Sequence, residues 1–214
     1  MIKLGSDDLF KKNKERRNLG DIRKRKSNVS RVEKPRILIV CEGKKTEPQY
    51  FEGFRPANIV VRGFGYNTVS LVEKAIEFRK NDLFPFDQTW CVFDRDEHDI
   101  GNFNNAFILA DKNDIRIAYS NEAFELWYCL HFDYLNSAVS RKQYSKILTR
   151  YLKALYNCKY QKNLTGIYDW LLDKQGTAIK NAEKLFAQYP NPNPAKDNPS
   201  TSVHNLVIEL NKWI

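Results

Sequence analysis

The chain has 214 residues, 42% of them hydrophobic and 29% charged, with a formal net charge of +9. That supplies a self-supporting core for one domain of ordinary size with appendages, so disulfide staples are not needed. No apolar run approaches the about 20 residues that cross a bilayer, and no apolar h-region follows the N-terminus. A membrane protein and a signal-peptide-bearing one are therefore excluded as expectations. Cys41, Cys91, Cys129 and Cys158 show no CxxC spacing, which points to reduced core thiols and a cytoplasmic location rather than a disulfide or thiolate metal site.

The positive charge is concentrated. Residues 1–36 hold 13 Lys and Arg against 5 acids, a net of +8, whereas the remaining 178 residues hold 22 against 21. Lys11, Lys12, Arg16, Arg17, Arg23, Lys24, Arg25 and Lys26 lie in a segment with little to bury. Residues 1–34 read as a basic, flexible arm that either binds a polyanion such as nucleic acid or only solubilises.

Pro35 marks the start of the body. Ile37 to Val40 form an apolar run without polar alternation, the pattern of a strand buried on both faces of a parallel sheet. Thr46 is placed to cap a short helix through Phe54, with Pro48 in its first turn. Asn58 to Gly65 read as a second strand and a glycine-punctuated loop. Thr68 to about Lys80 read as a helix with Val69, Val72 and Ile76 inward, beside Leu71 and Phe78. A strand at Trp90–Phe93, a helix over 103–112, a strand over Ile115–Tyr119 and a helix over 124–132 follow. Strands alternating with helices, without tight hairpin signals, predict an α/β fold with a mainly parallel sheet of at least four strands over residues 35–135. From Ser140 onward no strand is expected, and residues 136–214 read as a helical portion. Helices are expected over 141–156 and 164–189, the second weakened at Gly176, with a last helix capped by the segment Pro199–Ser202. This helical portion is expected to pack on the core.

Two apolar strands end in acids. Glu42 closes the first, followed by Gly43, Lys44, Lys45 and Glu47; Asp94, Arg95, Asp96, Glu97 and His98 close the other. In open α/β sheets the carboxyl ends of strands carry the chemistry. Asp94 and Asp96, two apart, point to one side if the chain stays extended, with Arg95 facing away to anchor the turn. Converging carboxylates repel unless a cation neutralises them, and hard oxygen donors suit Mg²⁺ or Mn²⁺. Lys44 and Lys45 are suited to meeting a phosphate, or are a solvated pair on a loop. His98 is a general acid, a ligand, a substrate contact or a plain surface residue. Phe124, Trp127, Tyr128, His131 and Phe132 form an aromatic stripe at helical spacing; with Leu126 and Leu130 between them, it reads as core rather than a base-stacking platform.

These residues carry a resemblance. Cys41 to Glu47 followed by Asp94-Arg95-Asp96 resembles the Toprim fold of topoisomerases, primases and certain nucleases. More narrowly, the stretches EGKKTEPQYF from Glu42, DRDEH from Asp94, SNEAFELWYCLHF from Ser120 and NPSTSVHNLVIEL from Asn198 resemble the RloB family. Glu122 departs from that family's SNPxFE pattern, which leaves the local helix start open and adds an acid near the site. The resemblance implies a Toprim-like, Rossmannoid sheet, with Glu42 as general acid/base or metal ligand and Asp94 and Asp96 as Mg²⁺ ligands. A further acid, Glu47 first and Glu125 second, would support another metal; Glu125 otherwise complements a helix dipole. The implied chemistry is metal-assisted phosphodiester hydrolysis, with Lys44 or Lys45 stabilising the transition state. The setting is bacterial restriction and abortive-infection loci beside an AAA- or ABC-type ATPase partner, with homo-oligomer formation left open. RNA, transfer RNA included, is the favoured substrate. The competing reading is a non-catalytic Toprim-fold subunit that docks to the ATPase or to nucleic acid. A topoisomerase or primase role lacks a tyrosine-bearing cleavage domain and a zinc motif.

Overall fold

In a computed structural model of the protein, residues 34–95 and 100–214 are described. The body, Pro35–Ile214, is one compact unit. Its chain order is β1 (Ile37–Cys41), α1 (Thr46–Glu52), β2 (Ile59–Gly63), α2 (Thr68–Asn81), β3 (Gln88–Asp94), α3 (Ile100–Asp111), β4 (Arg116–Asn121) and α4 (Glu125–Leu130). Then follow α5 (Arg141–Tyr156), α6 (Ile167–Leu171), a 3-10 turn (Leu172–Lys174), α7 (Gln175–Phe186), β5 (Ser200–Thr201) and α8 (Val203–Asn211). The sheet order is β2-β1-β3-β4-β5. The first four strands are parallel and β5 is antiparallel to β4. This is the expected α/β, Rossmann-like architecture with C-terminal helices.

All five residues of β1 are buried. Along β1, Ile37, Ile39 and Cys41 enter one apolar layer, while Leu38 and Val40 enter the other. In β3, Trp90 and Val92 alternate in the same way with Cys91 and Phe93. The unbroken apolar runs thus serve two layers, as their lack of alternation predicts. One layer holds α2 and α3; the other holds α1 and the helices from α4 onward.

The C-terminal half is no mere helical appendage. It adds β5, a strand unexpected from sequence, to the sheet edge. A Ser-Thr pair has no hydrophobic period to read; it is held by hydroxyls instead. Thr201 Oγ1 donates to the Tyr119 carbonyl at 2.9 Å, and the Tyr119 and Ser200 hydroxyls share a hydrogen bond of 2.7 Å. The helix expected over 164–189 breaks at residues 172–174, not at Gly176, which lies in the first turn of α7. On α2 the buried residues are Leu71, Val72 and Ala75, with Val69 and Ile76 only half-buried, and Asn67 caps it by accepting from the Ser70 amide at 3.2 Å. Cys41, Cys91 and Cys129 are buried free thiols, and Cys158 is half-buried and free. Among the described residues, no helix is long and apolar enough to cross a membrane.

The aromatic stripe is core. Phe124, Trp127, Tyr128 and His131 are at most 2% exposed, and Tyr50 of α1 meets all four edge-on or tilted at 5.7–6.3 Å. Phe132 stacks on Tyr151 of α5 at 4.8 Å.

The end of β2 comes close to the loop after β1. A Cβ on Gly63 would stand 2.5 Å from the Gly43 carbonyl oxygen and 2.7 Å from Pro48 Cγ. Neither neighbour can swing aside as a flexible side-chain tip would. Gly63→Ala is therefore expected to cost about 1–3 kcal/mol through overpacking, measurable as a lower midpoint in urea with an unchanged m-value.

Candidate active site

The sheet order places the reversal of strand order between β1 and β3: from β1 the chain steps outward to β2, then returns past β1 to β3. A crevice outside the carboxyl ends of strands at such a switch point is where open α/β sheets bind ligands. Glu42 follows β1 and Asp94 ends β3, so the two acids flank that point. Register joins them: the Glu42 amide donates to the Val92 carbonyl at 2.8 Å, and Glu42 Oε2 accepts from the Asp94 amide at 3.2 Å.

Around them lies a cavity of about 340 Å³ lined by Glu42, Glu47, Asp94 and Glu125, by Lys44, Lys45, Arg141 and Lys162, and by Gly43, Thr46 and Phe124. Four carboxylates and four cations thus share one crevice. Glu47 is 6% exposed and Glu125 3%, and the Asp94 side chain is 13% exposed. Burial, then the Glu47 and Glu125 charges, raise the Asp94 carboxyl well above the ordinary carboxylate range. Burial raises Glu47 as well, and Glu125 adds to it.

Local structure explains how these groups fit. A Cβ on Gly43 would collide with the Glu47 carboxylate, so only glycine lets that side chain fold back beneath the loop. Gly65 has φ +78°, which glycine tolerates, and its bare Cα leaves room for the Lys44 stem. Lys44 and Lys45 are exposed at the rim. Thr46 does not cap α1, where Lys45 is the N-cap residue; its hydroxyl donates to the Lys162 carbonyl at 2.7 Å. That bond ties the loop between α5 and α6 to the mouth of the cavity. Glu125, first residue of α4, accepts from the Tyr160 hydroxyl at 3.0 Å. Burial and the Glu125 charge hold the Tyr160 hydroxyl firmly protonated, so it remains a donor.

Arg141 and Lys162, which line the cavity, and Tyr160, which bonds to Glu125, are residues of the candidate site that the sequence alone did not reveal. Arg141 Nη2 pairs with Asp94 Oδ2 at 3.2 Å. One signal was legible: Ser140-Arg141-Lys142 puts two cations in the first turn of a helix, against the helix dipole. Arg95 turns to the opposite layer, its Nε donating to the Ala195 carbonyl at 3.0 Å with the guanidinium 5.7 Å above Phe103. Glu122 is half-buried and does not line the cavity. Asp96, His98 and the arm residues Lys11, Lys12, Arg16, Arg17, Arg23, Lys24, Arg25 and Lys26 lie outside the described residues.

The sequence profile described as RloB-like protein matches residues 37–210. The chain belongs to the RloB-like family. No curated protein and no solved structure matches it. The match spans the sheet, the C-terminal helices and every cavity-lining residue of this RloB-like chain.

The donor set suits a hard divalent cation. Among the described residues, no group of three or more His, Cys, Asp or Glu side chains is placed to hold a metal ion. Mg²⁺ needs only one or two protein carboxylates and completes its shell with water and phosphate oxygens, and two raised, buried carboxyls beside Glu42 are what a cation would relieve.

Because the folded chain binds the Asp94 and Glu47 protons more tightly than the unfolded chain, their contribution to stability is greatest at acid pH. It declines as pH rises through the ordinary carboxylate range toward the raised values. Thermal melts in EDTA across this window should show that decline, and Asp94→Asn should flatten it.

Proposed function

We propose that this protein is a divalent-metal-dependent nuclease that hydrolyses phosphodiester bonds, with RNA favoured as substrate, in bacterial antiphage defence. The supporting observation is the pairing of Glu42 and Asp94 across the switch point, inside a crevice they share with Glu47, Glu125 and four cations. Family membership supports the Toprim-type, defence-associated setting, and an ATPase partner belongs to the same reading.

In this mechanism Asp94 and Glu42 would hold Mg²⁺, with Glu47 and Glu125 behind them. When bound, the ion would activate water and stabilise charge on the leaving oxygen. The chain's own residues do the rest. Lys44, Lys45 and Lys162 line the mouth and meet the entering phosphate, and their charge favours the more negative transition state. Arg141 keeps the Asp94 carboxylate oriented through a charge-assisted hydrogen bond. Glu42, just past the end of β1 and nearest the lysines in the chain, serves as the proton-transfer group where it is not a ligand. The Tyr160 hydroxyl fixes Glu125 in one orientation.

The test incubates the full chain with labelled transfer RNA, single-stranded RNA and plasmid DNA in Mg²⁺, Mn²⁺ or EDTA. Cleavage is expected with either metal and not in EDTA. Asp94→Asn and Glu42→Gln should abolish it, and Lys44→Ala should lower kcat by roughly a hundredfold. Cleavage that persists in EDTA, or that both carboxylate variants retain, would sink the proposal. Binding without cleavage under every metal would favour the non-catalytic subunit.

A further inference from the structure

Helix α5 carries an unusual charge pattern. Its 16 residues include five cations, Arg141, Lys142, Lys146, Arg150 and Lys153, and no acid, although residues 37–214 as a whole hold 22 Lys and Arg against 21 acids. Arg141 turns inward to Asp94, while Tyr144, Leu148 and Leu152 are buried. The other four cations are exposed. Their spacing of four, four and three residues sets them in one stripe on the solvent side, opposite the buried positions. The stripe covers about 16 Å of helix axis, with steps of about 5–6 Å.

None of the four has a carboxylate within ion-pair distance among the described residues. The acid on the neighbouring loop, Asp133, already accepts from the Tyr151 hydroxyl at 3.3 Å and the Tyr134 amide at 2.8 Å. Arg150 instead lies 5.0 Å over the Tyr151 ring. The pattern opposes the helix that bears it. Like charges at i,i+4 repel, and cations in the first turn oppose the dipole. An external polyanion relieves both. The stripe also starts where the crevice ends, because Lys142 follows the residue that pairs with Asp94.

We propose that the solvent face of α5 is a track for the phosphate backbone of the substrate nucleic acid, guiding the strand to and from the crevice. This rests on the nucleic-acid reading above, but it is separable from catalysis because no residue of the stripe lines the cavity.

The test compares the full chain with its Lys142→Ala, Lys146→Ala, Arg150→Ala, Lys153→Ala quadruple variant. All four sites are exposed and alanine favours helix, so an unchanged melting temperature is the folding control. Binding of a fluorescein-labelled oligouridylate in EDTA is followed by anisotropy across a salt series. The slope of log affinity against log salt should flatten by roughly 0.7 per removed cation, about 3 in all, and affinity at low salt should fall at least about tenfold. Replacing the three lysines by arginine should preserve the wild-type slope. In Mg²⁺, kcat/KM on long RNA should fall with affinity, while turnover of bis(p-nitrophenyl) phosphate, too small to reach the stripe, should not change. Wild-type binding and slope effects without any cleavage would uphold the track and refute the nuclease. An unchanged slope, as for a face that meets an acidic protein, would overturn the track, as would a wild-type chain that does not bind the RNA. Equal loss on the small diester would also overturn it.

Discussion

Burying acids side by side is the constraint on which this structure turns. Asp94 and Glu47 are largely withdrawn from water next to Glu125 and Glu42, and each negative charge makes the next harder to hold. Such a group is tolerable only if other charges and donors are brought to it. The sheet cannot supply them, because β1 and β3 are apolar on both faces. They come from elsewhere in the chain: Arg141 from α5, the Tyr160 hydroxyl and Lys162 from the following loop, and the two lysines after β1. The glycines at 43 and 65 keep open the space into which the Glu47 carboxylate and the Lys44 stem fold.

This requirement explains why the C-terminal half is wound so closely into the sheet. Helices α5 to α8 share one apolar layer with β1, β3 and α1, and β5 lengthens the sheet through hydroxyl bonds to Tyr119 and Ser120. Tyr128 of α4 donates to the Thr46 carbonyl at 3.1 Å while the Thr46 hydroxyl reaches Lys162. The first helical turn after β1 is thereby bonded to both α4 and the α5–α6 loop. Removing the helical half would leave the carboxylates of the strand ends without two of their four cations.

The centre of the sheet was legible in sequence because β1 and β3 follow one rule, an unbroken apolar run leading into an acid. Three of the four acids in the crevice follow from the same rule or lie a helical turn away from it, since Glu42 and Asp94 end strands and Glu47 follows a glycine and two lysines. Glu125 is both first in α4, where a carboxylate complements the helix dipole, and inside the crevice, so its position alone is ambiguous in sequence. What sequence did not disclose depends on distant partners. A two-residue strand of hydroxyl side chains has no period. Arg141 pairs across 47 positions and Thr46 bonds across 116, and no local pattern encodes such distances. Thr46 shows the limit most clearly, because a threonine ahead of Pro48 has every local mark of a cap and is used instead as a tie between halves.

The charge arithmetic of the crevice also bears on what it accepts. Four carboxylates against four cations leave the lining close to neutral when all are ionised, but with Asp94 or Glu47 protonated it is positive. On the proposed reading a divalent cation displaces such protons and leaves the lining positive by about two charges, concentrated beneath a rim of exposed lysines. A phosphodiester carries one negative charge and gains another on the way to the transition state, so the crevice would match the more charged species better than the ground state. On the same reading the stripe on α5 would supply attraction that is indifferent to that change, because it would meet phosphates that do not react. Binding of the strand and orientation of the Asp94 carboxylate would thus reside on different cations of one helix, with Arg141 turned inward and its four neighbours outward.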